Sequence, residues 1–322
     1  MTRGFITIAT GKKHYYELAA HLLLSYRFFT NNPYPFAIIA EEHNEYTALF
    51  DDVIITAESM HSFTDKFLLL KLCPYDETIF FDADSLAYGD LNQYWDFFKD
   101  ATDFSATGEN FDLHAEKGAW YNAEDIGVYG SKIEYKSRVH AGVCFVRKSE
   151  KTLRMYEDCM DIYRHYNELY FHTAPASVDE CVFGVAMPMN NMKAIPECNT
   201  MLAAYPCLTS LKADLLNDVL TYSTPWAGKT EKGILLHWGT LQTHNPLYKY
   251  NVECLKYRID KSGQSSIINK LKYEYRLRFF DLYVKHFLKK LIIYPFSFVK
   301  RAVNHIKRKA NKARTTTVAV KK

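Results

Sequence analysis

An α/β fold is what the sequence predicts: an open, mostly parallel sheet flanked by helices, followed by a basic helical tail. Three observations predict it. Short β-branched and aromatic runs alternate with segments of helical periodicity through the first part of the chain. The 322 residues are 48% hydrophobic and 24% charged, enough apolar material for a large core and too much for wholesale disorder. Charge is unevenly divided. From Leu255 to Lys322 there are 19 Lys and Arg against 3 Asp and Glu, so the overall net charge of +3 hides an acidic body and a strongly basic end.

The elements follow in order. Phe5-Ile6-Thr7-Ile8-Ala9 reads as a buried strand closed by Gly11. His14 to Phe28 reads as a helix, with Leu18, Ala19, Leu22, Leu23 and Tyr26 at helical spacing. Phe36–Ala40 and Val53–Ile55 are further short strands, Lys66–Leu72 is helical, and Thr78–Phe81 is a strand that runs into Asp82-Ala83-Asp84. Alternation of this kind builds a parallel sheet whose site lies at the carboxyl ends of its strands. In the second half, Ala141–Arg147 reads as a strand, Glu150–Tyr166 and Val178–Ala186 as helices, and Ile234–Trp238 as a last strand.

Asp260-Lys261-Ser262-Gly263 breaks the pattern, placing a boundary near Cys254 to Gln264: a catalytic body over 1–254 and a tail over 255–322. The tail interleaves Lys and Arg with Phe, Tyr, Leu and Ile from Ile267 to Val299, the composition of an amphipathic segment for an anionic membrane surface, or, as the alternative, of a helical pair packed on the body with its charge facing solvent. No nucleic-acid-binding module is recognisable in it. Seven cysteines lack metal-finger spacing, and their odd number argues against a disulfide framework. No signal peptide and no apolar run of spanning length are evident, so the expected location is cytoplasmic, peripheral on the cytoplasmic face of a membrane.

The chemistry concentrates at Asp82-Ala83-Asp84. Residues i and i+2 at a strand end point to one side, so two carboxylates converge there and can hold a hard divalent cation. Lys66 precedes them on a helical segment. His237 ends the last strand, and Gly239 permits close backbone approach to a ligand. An imidazole with two carboxylates suits Mn²⁺, which accepts mixed nitrogen and oxygen ligands. Trp120-Tyr121, Trp226 and Trp238 offer ring faces for sugar stacking, although buried packing accounts for each taken singly.

Three stretches together resemble the GT-A-fold glycosyltransferases, especially family 8, which includes glycogenin and bacterial lipopolysaccharide galactosyltransferases. They are Ile6-Thr7-Ile8-Ala9-Thr10 with Tyr15, Lys66 through Asp84, and His237-Trp238-Gly239. His140-Ala141-Gly142-Val143 resembles the family's Asn-x-Gly segment, and Val178-Asp179-Glu180 its Asp-Gln segment. The resemblance runs in order over about residues 5 to 245. It implies a GT-A-like, Rossmann-like catalytic domain that binds a UDP-sugar with Mn²⁺ (or Mg²⁺) and transfers a hexose with retention to a glycan or lipid-linked acceptor. Thr10 and Tyr15 are the implied nucleotide contacts, with Tyr15 on the uracil. Asp82, Asp84 and His237 are the implied metal ligands, and Lys66 the contact to donor sugar or phosphate. Gly239 is implied at the cofactor-binding turn, and Asp179 with Glu180 near the reacting face. The family's usual Lys after the late Gly is absent: Thr240-Leu241-Gln242-Thr243-His244 stands there, with Lys249 further on, and its usual Asn is His140.

Two other readings compete. Ile79 to Leu86 also resembles the nucleophile motif of haloacid dehalogenase-like phosphatases, with Asp82 as nucleophile, but that reading gives His237 no role. A non-catalytic, membrane-associated sugar-nucleotide-binding protein would be expected to have lost an Asp of Asp-x-Asp or the His, and both are intact.

Overall fold

The computed structural model describes residues 1–274 except 117, 173–177, 197, 199–200, 206–207, 225–228, 240–241 and 262–264. Trp226, Thr240, Leu241 and the tail from residue 275 onward, on which part of the sequence reading falls, lie outside the described residues.

The α/β class is as the sequence predicts. The central sheet has six strands in the order β3-β2-β1-β4-β7-β6: Asp52–Ile55, Phe36–Ala40, Arg3–Ala9, Glu77–Phe81, Tyr135–Arg147 and Phe104–Asp112. Strands β3, β2, β1 and β4 are parallel, and β7 is antiparallel to both β4 and β6. Every residue of β2 and β4 is buried, which explains their unbroken apolar runs: strands covered on both faces have no solvent side to alternate with. Helices α1 (Lys13–Phe29), α2 (Leu69–Leu72), α3 (Gln93–Phe97), α4 (Glu150–Arg164), α5 (Val178–Met189) and α6 (Pro246–Asp260) surround the strands. One large core cluster runs from Ile6 and Phe80 in the sheet to Val182, Phe183 and Ala186 in α5. Cys73, Cys144 and Cys159 are buried there as thiols, and Cys181 is a buried thiol in α5.

Local chemistry sets several boundaries. Ser149 and Thr152 cap α4 reciprocally, each side chain accepting from the other's backbone N–H, at 3.3 and 3.1 Å. Asn245 accepts from Leu247 N at 2.9 Å with Pro246 at the first turn of α6, and Lys261 ends that helix in a left-handed conformation. Helix α6 is continuous through Cys254, and the chain divides into two compact units after it, Met1–Gln264 and Ser265–Lys322. Within the second unit, residues 265–274 are helical. No helix among the described residues is long and apolar enough to cross a membrane.

Two small sheets complete the first unit. Strands β9 (Ser210–Asp214), β10 (Val219–Ser223) and β11 (Glu231–Lys232) are antiparallel. Strand β12 (Leu235–His237) lies between β5 (Ser85–Ala87), to which it is antiparallel, and β8 (Leu202–Ala204), to which it is parallel. That second sheet ties the late strand to the turn that follows β4.

Helices α1 and α6 meet at a buried pair, His21 Nδ1 and the Tyr248 hydroxyl, 3.1 Å apart. Burial, with the positive charges of Lys256 and His14, pushes His21 down to about 3. The unfolded chain therefore takes up a proton on this residue, near pH 6.5, that the folded chain refuses until about pH 3. Stability contributed here is lost as pH falls through that window. His21→Phe is expected to flatten the pH dependence of the urea midpoint between pH 4 and 6 by about one proton, about 1.4 kcal/mol per pH unit. An unchanged slope would contradict the assignment.

Candidate active site

Backbone pairing assembles the site. Strand β4 ends at Phe81, opposite Val143, and Asp82 N donates to Gly142 O at 3.0 Å. A tight turn follows, closed by Ser85 N donating to Asp82 O at 3.1 Å. Asp82 and Asp84 therefore converge across a turn between two strands. They are not alternate residues of one extended strand, as the sequence reading had them. Because β5 starts directly after the turn, its pairing of Ser85 with His237 fixes where the late strand arrives. Trp238 N donates to Asp84 O at 3.0 Å and locks the register.

The consequence is a compact triad. His237 Nε2 lies 3.0 Å from Asp84 Oδ1 and 3.5 Å from Asp82 Oδ2. One ligand atom from each of Asp82, Asp84 and His237 falls within 4.8 Å of the others. Lys66 Nζ bridges two carboxylates, 2.9 Å from Asp82 Oδ2 and 2.8 Å from Asp179 Oδ2. Lys66 sits on a 3₁₀ turn, Phe63–Leu68, that leads into α2, and Asp179 sits in the first turn of α5, where a carboxylate also suits the helix dipole. Glu180 is half-buried beside it.

Electrostatics at the triad are those of crowded, poorly hydrated charge. Burial raises the Asp82 carboxyl above its usual range, and Asp84 adds to this, against the pull of Lys66 and His237. Burial also opposes charge on Lys66, but Asp179 and Asp82 overcome it and hold the ammonium well above its ordinary value. His237 is raised as well, because Asp84 and Asp82 outweigh its burial. Its neighbour His140, with ring centroids 5.5 Å apart, goes the other way: burial first, then the charges of His237 and Lys66, push it down to about 3, so it is a neutral imidazole. Lys66 pairs with Asp82 and Asp179, and His237 with Asp84, so three carboxylates stand against one ammonium and one imidazole, which leaves negative charge for a divalent cation to balance.

The donor set fits such a cation. Two carboxylates and an imidazole form the mixed oxygen and nitrogen set that Mn²⁺ accepts, and Mg²⁺ takes the carboxylate part. His237 Nδ1 is buried without a hydrogen-bond partner, so the ring is oriented by Nε2 alone. Gly142 leaves room for that ring: a Cβ there would stand 2.9 Å from His140 Cε1 and 3.2 Å from His237 Nδ1. Gly239 follows with φ +73°, a conformation that glycine adopts without strain, and accepts from Gln242 N at 2.8 Å.

The other expected residues lie around this centre. Thr10 follows β1 directly and donates through Oγ1 to Asp65 Oδ2 at 2.6 Å. Asp65 is a residue beside the site that the sequence reading passes over. Nearly fully buried, it also accepts from Ser59 Oγ at 2.8 Å and Met60 N at 2.6 Å, pinning the β1 loop beside Lys66. Nothing in its sequence context marks it as buried. The Gly11 N–H is committed to Glu41 Oε2 at 2.6 Å. Tyr15 is half-buried in the first turn of α1, its ring 6.2 Å from that of His14. Trp238 is fully buried, stacked on Tyr205 at 5.3 Å, and Tyr121 is buried with its hydroxyl donating to Gly184 O at 2.6 Å; both are core residues.

No protein-family model matches the chain, and no curated protein matches it. Solved structures do. The glycosyltransferase GlyE of Streptococcus pneumoniae TIGR4 is similar over 62% of this chain and 46% of its own, with 11% identity and a TM-score of 0.42. The galactosyltransferase LgtC, solved with donor and acceptor sugar analogs, is similar over 79% of this chain and 95% of its own, with 13% identity and a TM-score of 0.47. The bifunctional WbbM is similar over 74% of this chain and 46% of its own, with 10% identity and a TM-score of 0.45. Each of these structures is a glycosyltransferase. The chain spans less than half the length of GlyE and of WbbM. The chemistry has to be read from the site's own residues.

Proposed function

We propose that the chain is a metal-dependent glycosyltransferase that moves a hexose from a UDP-sugar to a glycan or lipid-linked acceptor, with retention at the anomeric carbon. One observation carries this reading: Asp82, Asp84 and His237 converge within 4.8 Å, with the Lys66–Asp179 pair against them. Asp82, Asp84 and His237 would hold Mn²⁺ (or Mg²⁺). Such an ion, when bound, neutralises the charge that develops on the diphosphate as it leaves the sugar.

The chain's own groups do the rest. Thr10, held by Asp65, and Tyr15 frame the nucleotide at the carboxyl end of β1. Gly239 lets the late loop approach the donor closely. Lys66 is a fixed ammonium at the donor's sugar–phosphate junction. Asp179 orients Lys66, and together with Glu180 it faces the donor sugar. The bond between the anomeric carbon and the diphosphate oxygen breaks, a bond from the acceptor hydroxyl oxygen forms on the same face, and the acceptor's proton is released. The phosphatase reading is disfavoured because it assigns nothing to His237, which here contacts Asp84.

Slow hydrolysis of a UDP-hexose tests the proposal without knowledge of the acceptor. UDP release from UDP-glucose or UDP-galactose is expected with Mn²⁺ and is expected to stop on chelation. Release that continues undiminished after chelation would contradict metal dependence. No release from any UDP-hexose, with the protein folded, would contradict the donor assignment.

The basic tail is proposed to hold the protein on an anionic membrane surface, each basic residue contributing about 1 kcal/mol. Deleting residues 271–322 is expected to release the protein from anionic vesicles and to spare UDP-hexose hydrolysis. Undiminished vesicle binding would overturn the membrane role.

A further inference from the structure

Helix α5 runs away from the candidate active site. Ten residues separate Asp179, in its first turn, from Met189, its last, a length of about 15 Å. At that far end β7 stops at Arg147, opposite Glu77 at the start of β4, and α4 begins at Glu150. A cavity of about 300 Å³ opens there, lined by Lys132, Lys151, Arg154, Asp158, Asn190 and Asn191 over Met189. Its volume is at the lower end of the range of small-molecule sites. Three cations thus share a cleft with one carboxylate, although the body of the chain is acidic. The cations are largely uncommitted. Lys151 Nζ comes only to 3.7 Å from Asp103 Oδ2, and Lys132 Nζ lies 5.5 Å from the centre of the Tyr129 ring. Lys132 and Arg154 make no ion pair among the described residues. The negative groups, by contrast, are occupied. Asp158 Oδ2 accepts from Asn190 Nδ2 at 2.7 Å. The last α5 carbonyls are capped: Ala186 O accepts from Asn190 N at 3.2 Å, Pro188 O from Asn191 N at 3.1 Å, and Met187 O from Met192 N at 2.9 Å. Asn191 makes this turn at φ +55°, a conformation that Asn tolerates.

We propose that this cleft is a second ligand site that binds a phosphomonoester, with the phosphate on Arg154, Lys151 and Lys132 and the organic part along Asn190 and Asn191. The guanidinium of Arg154 matches phosphate oxygens two at a time, and the lysines add point charges. Three cations against Asp158 leave two positive charges in the lining, and a phosphomonoester carries about −1.5 to −2 at neutral pH. A carboxylate or a phosphodiester, with one negative charge, leaves the cleft unbalanced. The amides of Asn190 and Asn191 offer hydrogen bonds to hydroxyl groups next to the phosphate. A soluble sugar phosphate and a lipid with a terminal phosphate both supply this chemistry. The inference does not rest on the UDP-sugar reading, because the cleft shares no residue with the donor site.

The test is calorimetric titration into the full chain at neutral pH with a chelator present. The probes are glucose 6-phosphate and the short-chain lipid dihexanoyl phosphatidic acid, with glucose as control. Saturable binding of a phosphomonoester, and none of glucose, is expected, and the tighter of the two probes identifies the source. Lys151→Gln/Arg154→Gln is expected to weaken that binding about a hundredfold, about tenfold for each cation removed. Asp158→Asn keeps an oxygen for Asn190 Nδ2 but removes the negative charge, and is expected to strengthen binding about threefold, a gain that a damaged fold does not produce. Asp84→Ala, in the other site, is expected to change nothing. A folded wild-type chain that binds neither probe would overturn the site. Binding that survives the double variant would overturn it too, placing the phosphate on another basic surface, and binding lost in Asp84→Ala would place it in the donor site instead.

Discussion

Asp84→Ala is expected to weaken Mn²⁺-dependent UDP binding by more than about a hundredfold, the loss that even an outer partner of a metal ligand can cause. Asp84 is nearly buried, and its Oδ1 is the closest carboxylate oxygen to His237 Nε2, at 3.0 Å. Removing it leaves two of the three proposed ligands and takes away the larger of the two carboxylate influences that hold His237 above its ordinary pKa. The backbone is expected to keep its path, because the Asp84 carbonyl, which accepts from Trp238 N, is untouched. The variant should therefore melt close to wild type, since it relieves charge crowding around Asp82. Unchanged UDP binding in a folded Asp84→Ala protein would refute the metal-site assignment.

Lys66→Met is expected to act mainly on stability. It removes the ammonium that contacts Asp82 at 2.9 Å and Asp179 at 2.8 Å, stranding two carboxylates that are largely out of water. Breaking a buried pair from one side costs about 3–5 kcal/mol, a fall of about 10 °C in melting temperature for a body of this size. The sign of its pH dependence follows. Without Lys66, the Asp82 carboxyl, which burial already raises, binds its proton more tightly in the folded chain than in the unfolded one. The deficit is therefore largest at neutral pH and shrinks as pH falls. Lys66→Arg retains the charge and is expected to recover most of the stability, but not the donor chemistry, because the guanidinium fork differs in shape from an ammonium. A Lys66→Met protein that melts like wild type at pH 7 would contradict the bridge.

What the sequence made legible follows physical lines. Strands β2 and β4 are fully covered, β1 is covered over most of its length, and all three carry apolar runs, so their positions could be read directly. Strand β6 could not. Its register shifts between Ala106 and Thr107, and Gly108 at φ +155° further breaks the alternation. Strands β8 to β11 are two to five residues long, too short for a periodic signal. Strand β5 hides because it begins where the acidic turn ends. The chemical residues Asp82, Asp84, Lys66 and His237 were legible as types in order. Their meeting depends on the pairing of β5 with β12 across some 150 residues, which no local pattern reports. Asp65 was missed for the same reason: its place beside the site depends on burial and on contacts between distant loops.

The most direct test of the central claim is calorimetric titration of UDP into the full chain with Mn²⁺, with a chelator, and with GDP in place of UDP. Saturable UDP binding that requires Mn²⁺ and exceeds GDP binding is the predicted result. A folded protein that binds neither nucleotide, with or without the ion, would contradict it.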